Sequence, residues 1–225
     1  VYVNHKTAPW TVIVDGTIGM IIVDPDPQAL AEYRLRHDQW DLERQKLKRL
    51  RDTRATTLDH TTIDLQANIE LPDDVAQVLE NGATGIGLFR TEFLFLNRDN
   101  LPDEDEQFEA YRRVVCGMEG LPVTIRTYDL GADKQINGVE HTSTNPALGL
   151  RAIRLSLTEP QMFLAQLRAI LRASHYGKLK ILIPMVMSAA EIKQTLYYVA
   201  QARKFLEEHY IPFDRGVEIG GMIEI

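Results

Sequence analysis

Two arginines and one glutamate stand at the ends of three separate apolar runs. Arg90 closes G-I-G-L-F-R (Gly85–Arg90), Arg126 lies near the end of P-V-T-I-R-T-Y (Pro122–Tyr128), and Glu224 ends the run that begins at Val217. A strand buried on both faces has no structural reason to carry a charge at its tip, because an unpaired ion is costly to desolvate. An anion site does have a reason. Two guanidinium groups form a fork for a phosphate or carboxylate, with charge-assisted bonds about twice as strong as neutral ones. A carboxylate cannot bind that anion directly, but it can hold a divalent cation that does. Mg²⁺ usually takes one or two carboxylates together with substrate oxygens. The residues therefore point to a phosphorylated small carboxylic acid held by Arg90 and Arg126, with Mg²⁺ on Glu224. Lys134, in D-L-G-A-D-K (Asp129–Lys134), either brings an ammonium to the same anion or belongs to a plain loop. Arg151 and Arg154 lie one helical turn apart, and Arg151 is the better placed to face the anion. The bland alternative pairs Arg90 with Glu92, and Arg126 with Asp129 or Asp133, as strand-end salt bridges. Three charged tips together favour the site.

The elements that must position these residues follow from hydrophobic periodicity. After Asp52 the chain alternates strand-like and helix-like segments. Strands are expected near Thr61–Ile69, Gly85–Arg90, Pro122–Tyr128, Lys180–Val186 and Val217–Glu224, and helices near Asp73–Asn81, Asp103–Cys116, Pro160–Ser174 and Ala189–His209. Such alternation implies a parallel sheet covered by helices. The repeat length of about 34 residues is close to that of a TIM barrel, about 31. A doubly wound open sheet is the competitor, but no G-x-G-x-x-G follows a strand into a helix. The expected fold is thus an α/β, TIM-type (β/α) barrel with about five of its eight strands. In a barrel, residues at the carboxyl ends of strands share one face, which carries the chemistry.

Ahead of the barrel, W-T-V-I-V-D-G-T-I-G-M-I-I-V (Trp10–Val23) reads as a β-hairpin around Asp15-Gly16, and D-P-D-P then opens a helix. That helix is expected over Gln28–Asp52, with Leu30, Tyr33, His37, Trp40, Leu47 and Leu50 at three- and four-residue spacing. At 1.5 Å per residue it would span roughly 37 Å.

The net charge of −7 over 225 residues argues against nucleic acid as a partner. The single cysteine, Cys116, excludes an intrachain disulfide and fits a reducing cytoplasm. It is expected as a buried structural thiol in a stripe with Tyr111 and Val115. The six histidines show no metal-ligand spacing, and most read as surface residues. No apolar run is long enough to cross a bilayer.

With those motifs in hand, the chain resembles enzyme I of the phosphoenolpyruvate-dependent phosphotransferase system. The resemblance rests on G-I-G-L-F-R-T-E-F-L-F, L-P-D-E-D-E-Q-F-E-A-Y, V-T-I-R-T-Y-D-L-G-A-D-K, N-P-A-L-G-L-R-A-I-R, Q-L-R-A-I-L-R-A-S, I-L-I-P-M-V and G-G-M-I-E. R-T-E-F alone would also admit pyruvate phosphate dikinase and phosphoenolpyruvate synthase, and an aldolase-type Mg²⁺ barrel is a further alternative. The resemblance implies that residues 1–27 end a swivelling phosphohistidine domain, 28–56 form a linker helix, and 57–225 begin a phosphoenolpyruvate-binding barrel. It implies Arg90 and Arg126 as phosphate ligands, Glu224 as a Mg²⁺ ligand, a cytoplasmic homodimer, and transfer of a phosphoryl group through a histidine to the carrier protein HPr. The histidine motif and the barrel's later residues of that family are not in this sequence, so the chain alone is expected to transfer no phosphoryl group. A non-catalytic dimerisation or anion-binding piece is the reading of another class.

Overall fold

A computed structural model describes residues 10–96, 100–130 and 149–225. The chain divides into two compact units, Val1–Thr53 and Arg54–Ile225.

In the first unit, β1 (Val12–Asp15) pairs antiparallel with β2 (Met20–Val23), Val12 opposite Val23 and Asp15 opposite Met20. The Asp-Gly step opens a longer loop than a two-residue hairpin turn. Asp15 Oδ1 accepts from the Thr17 N–H at 2.9 Å, and Gly19, at φ +68°, turns the chain back into β2. The helix α1 (Pro27–Lys48) is capped by Asp26, whose carboxylate accepts from the Ala29 N–H at 2.7 Å, with a proline in its first turn. It ends a turn earlier than the expected Asp52: Leu50 N–H bonds to the Leu47 carbonyl and Thr53 N–H to that of Leu50, as separate turns. The expected apolar stripe buries none of its residues, and Trp40 and Leu47 are exposed.

The second unit carries the parallel sheet. Its strands are β3 (Ala67–Ile69), β4 (Ile86–Arg90), β5 (Val123–Arg126), β6 (Leu179–Ile183) and β7 (Glu218–Gly221), all parallel and in sequential spatial order. Sequential order decides between the two architectures considered. A doubly wound sheet reverses its strand order at a switch point. Right-handed crossovers between neighbouring parallel strands, taken in one direction, put every helix on the same face, which is the winding of a TIM-type barrel. The connecting helices are α2 (Val75–Glu80), α3 (Glu104–Gly117), α4 (Ala152–Thr158), α5 (Pro160–Ala173) and α6 (Ala189–Glu208). Accordingly α3 packs on α5, and α5 on α6.

The core lies between that helical layer and one face of the sheet. Ile86, Phe89, Val123, Ile125 and Ile181 are buried from the strands. They meet Tyr111, Val114 and Val115 of α3, and Phe163, Leu167, Ile170 and Leu171 of α5. On α3 the buried positions Gln107, Tyr111, Val114 and Val115 fall at i, i+4, i+7 and i+8, one face of a helix. The close approach of β4 to β5 at their start requires Gly85, because a Cβ there would lie 2.7 Å from the Pro122 carbonyl oxygen.

Several expectations need correction. The strands are not buried on both faces: in β5 and β6 buried residues alternate with less buried ones, and Lys180 is exposed and paired with Glu218 at 2.6 Å. The first strand is short, Ala67–Ile69, because the preceding residues form a Thr56–Thr62 bridge and a turn with His60 at φ +64°. The helix α4 was not among the expected helices, although Arg151 and Arg154 were placed one helical turn apart. It ends at Glu159 and Pro160 starts α5. Cys116 is exposed rather than buried. It lies about 100° around the helix from buried Val115, since each residue advances by that angle.

Candidate functional site

Arg90 and Arg126 are the last residues of β4 and β5, and the two are register partners across the ladder. Neighbouring strands lie about 4.8 Å apart, so the two arginines leave the carboxyl edge side by side. Glu224 belongs to the same edge. Met222 N–H bonds to the Ile183 carbonyl at the end of β6, and two residues on Glu224 Oε1 accepts from the Met185 N–H at 2.9 Å. Met185 is held at φ +57°, a left-handed conformation uncommon for a residue with a Cβ. With β7 two strands from β5, roughly 10 Å separates those strand axes.

The arginines are embedded in carboxylates. Arg126 pairs with Glu92 and with Asp129, each at 2.9 Å, and all three side chains are largely buried. Asp129 also holds Arg151 at 3.0 Å, while its own N–H donates to Glu92 Oε1 at 3.1 Å. Arg151 immediately precedes α4, and its side chain makes no capping bond there. The result is a compact array of two arginines and two carboxylates in which the formal charges cancel. Arg90 stands apart from it, paired at 2.6 Å with Glu70, just past β3, and both side chains are well exposed. The simple strand-end salt bridge is therefore present at Arg126, through Asp129. At Arg90 the partner is Glu70, and not Glu92, which the sequence placed beside it. Arg154, the other arginine of the N-P-A-L-G-L-R-A-I-R motif, donates to the Gly149 carbonyl at 2.8 Å.

The array is not internally satisfied. Among the described residues, five buried side-chain polar atoms lack a hydrogen-bond partner, and four of them, Glu92 Oε2, Arg126 Nε, Thr127 Oγ1 and Arg151 Nε, are at this edge. Each such atom costs about 1–3 kcal/mol when left dry. Their concentration marks a place that receives polar groups from elsewhere. Both orphaned arginine nitrogens are donors, the type an anion takes.

A buried polar chain underlies the array. Thr91, between Arg90 and Glu92, donates to the Arg126 carbonyl at 3.0 Å. Gln166 of α5 donates to Thr91 Oγ1 and to the Tyr111 hydroxyl, both at 3.2 Å, and accepts from the Tyr128 N–H at 3.0 Å. Tyr111 passes its proton on to Gln107 at 3.2 Å. Burial pushes the Tyr111 phenol far above its ordinary value, so it stays a donor at every physiological pH. Neither Gln166 nor Glu92 stood out as a site residue in the sequence. For Gln166, the cue was a glutamine interrupting the apolar stripe of Phe163, Leu167 and Ile170.

Of the other candidates, Lys134 lies outside the described residues. No group of three His, Cys, Asp or Glu side chains able to hold a metal occurs among the described residues. A single carboxylate is nevertheless a fit for Mg²⁺ shared with a substrate. Glu224 is exposed, and only one of its oxygens is engaged by Met185. His37, His60, His175 and His209 are exposed, as expected. A cavity lined by Leu71, Phe93, Arg113 and Cys116 contains none of the candidate residues.

A parallel sheet in barrel order, with its charged side chains along the carboxyl edge, defines a TIM-type barrel protein. Comparison with known proteins makes the class specific. Residues 44–225 match the family model of the PEP-utilising enzymes, PEP-binding domain, and the chain belongs to that family. It is 56% identical over 218 residues to a phosphoenolpyruvate-protein phosphotransferase of Cupriavidus necator, covering 95% of this chain and 37% of that protein. It is 42% identical over 216 residues to the protein of the same name in Staphylococcus carnosus, covering 96% of this chain and 38% of the relative. For the Bacillus subtilis protein the identity is 43% over 216 residues, again 96% of this chain and 38% of the relative. The chain thus spans little more than a third of the length of these relatives.

Proposed function

We propose that this chain provides the phosphoenolpyruvate-binding part of a phosphoenolpyruvate-protein phosphotransferase. The observation that carries the proposal is the register pairing of Arg90 with Arg126 at the carboxyl edge of a barrel-ordered sheet. The relatives' name supports the same substrate. In this reading Arg90 and Arg126 take the phosphate oxygens, and Arg151 and Lys134 add positive charge around them. Glu92 and Asp129 hold Arg126 and Arg151 in fixed orientation, so that little reorganisation is required when the anion arrives. PEP-utilising enzymes are in general magnesium-dependent. Glu224 would hold the Mg²⁺, which when bound withdraws charge from the phosphoryl and carboxylate oxygens.

The wider assignment follows from the same reading. Residues 1–27 close a phosphohistidine domain, 28–56 form the linker helix, and 57–225 begin the barrel. The phosphoryl group passes from phosphoenolpyruvate to a histidine and then to HPr, in a cytoplasmic homodimer. No helix among the described residues is long and apolar enough to cross a membrane. The test is incubation of the gene's full-length product with labelled phosphoenolpyruvate, Mg²⁺ and HPr. Label on a histidine of the enzyme and then on HPr is expected, with none passed by the 225-residue chain alone. A full-length product that takes up no label overturns the assignment.

A further inference from the structure

Gln166 is 2% exposed and sits in the middle of α5, between Phe163 and Leu167. A primary amide in that position is costly unless its donors and acceptor are all used. Here both hydrogens and the oxygen are engaged, and what they engage is informative. Its oxygen accepts from the N–H of Tyr128, the residue between Arg126-Thr127 and Asp129. One hydrogen goes to Thr91, flanked by Arg90 and Glu92. The other goes to Tyr111, which anchors α3 through Gln107, whose amide in turn donates to the Pro102 carbonyl at 3.1 Å.

The directions of these bonds leave little slack. Thr91 spends its proton on the Arg126 carbonyl, so it can only accept from Gln166. Tyr111 spends its proton on Gln107, so it too can only accept. One amide therefore ties the residues just past β4 and β5 to each other and to two helices. Past β5, the Thr127 N–H still bonds to the Leu182 carbonyl of β6 at 3.0 Å. The two segments also meet directly, through the Thr91 hydroxyl on the Arg126 carbonyl and the Asp129 N–H on Glu92. Gln166 is the group that ties both of them to the helical layer. The Arg90-Thr91-Glu92 and Arg126–Asp129 segments carry Arg90 and every member of the array except Arg151, and Gln166 hydrogen-bonds to neither guanidinium group.

We propose that Gln166 is a positioning residue for the anion site: its amide holds both strand ends against α3 and α5 and so sets the geometry between Arg90 and the Arg126 array. The inference rests on the phosphoenolpyruvate reading of that site, and its test separates the two. In the full-length gene product, phosphoenolpyruvate affinity is measured by calorimetry well below the melting transition, so that every variant is fully folded. Gln166→Met keeps the side-chain volume and removes all three hydrogen bonds. It is expected to weaken phosphoenolpyruvate binding tenfold or more. Ser174→Ala is the control for lost stability. This buried serine accepts from the Asp214 N–H at the end of α5 remote from the site, and its loss lowers the melting temperature with affinity within twofold of wild type. Tyr111→Phe removes the bond from Gln166 to α3 while leaving Gln166 and both strand ends in place, and stands in should Gln166→Met not fold; a weakening of about threefold or more is expected. Wild-type affinity in whichever of these two variants folds, or equal weakening in Ser174→Ala, overturns the positioning role. Unchanged affinity in Arg126→Ala overturns the anion site itself, a different result from either.

Discussion

Arg126 and Arg90 present two different energetic situations at one edge. Arg126 is largely buried between Glu92 and Asp129, so its removal leaves two carboxylates with less compensating charge. Breaking a buried pair in this way costs about 3–5 kcal/mol. Arg90 shares an exposed ion pair with Glu70, the kind that contributes less than about 1 kcal/mol. Urea unfolding of Arg126→Ala is therefore expected to show a stability loss of several kcal/mol, and Arg90→Ala a loss below about 1 kcal/mol. Equal losses would contradict the burial difference. The two arginines were legible in the sequence because a charge at the end of an apolar run is conspicuous. Of their partners, only Asp129 beside Arg126 was foreseen. Glu70 is distant in sequence from Arg90, and which of the nearby carboxylates reaches Arg126 depends on how the segments after β4 and β5 turn. The exposure of Cys116 was misread for a simpler reason: one residue of helix separates it from a buried neighbour, and that is enough to change faces.

At the scale of elements, α3 and α5 do more than cover the sheet. They carry Gln107, Tyr111 and Gln166, a buried polar chain with its proton directions fixed by the neutral Tyr111 phenol. Because the folded state holds that phenol well above the ordinary value of about 10, the unfolded chain deprotonates first as pH rises. The stability tied to the protonated phenol is complete below that ordinary value and is lost above it. Tyr111→Phe is expected to flatten the fall of stability above about pH 10, measured as denaturant midpoint against pH. A slope identical to wild type would mean Tyr111 is not the group being titrated. The alternation of strands and helices was readable from hydrophobic period, and so were the positions of α3, α5 and α6. The short helix α4 was hidden because its seven residues follow Arg151 directly and give too few turns to establish a period. The one-sided burial of the strands was hidden as well. A run such as Leu179–Ile183 is apolar apart from Lys180, so its pattern does not reveal that only one face is covered.

For the molecule as a whole, the order of the five strands settles the architecture, and the architecture fixes where function can reside. Sequential parallel strands bring all their carboxyl ends to one edge, and this places Arg90, Arg126 and Glu224 on the same side of the sheet. The family match extends over residues 44–225, which include every one of those strands. The central claim is that this edge binds phosphoenolpyruvate through paired guanidinium groups. Its most direct test is calorimetric titration of phosphoenolpyruvate with Mg²⁺ into the full-length gene product and into its Arg90→Ala form, since that substitution scarcely touches the fold. The account predicts saturable binding in the first and at least tenfold weaker binding in the second, with matching melting temperatures. Equal heats and equal affinities in the two proteins would contradict it.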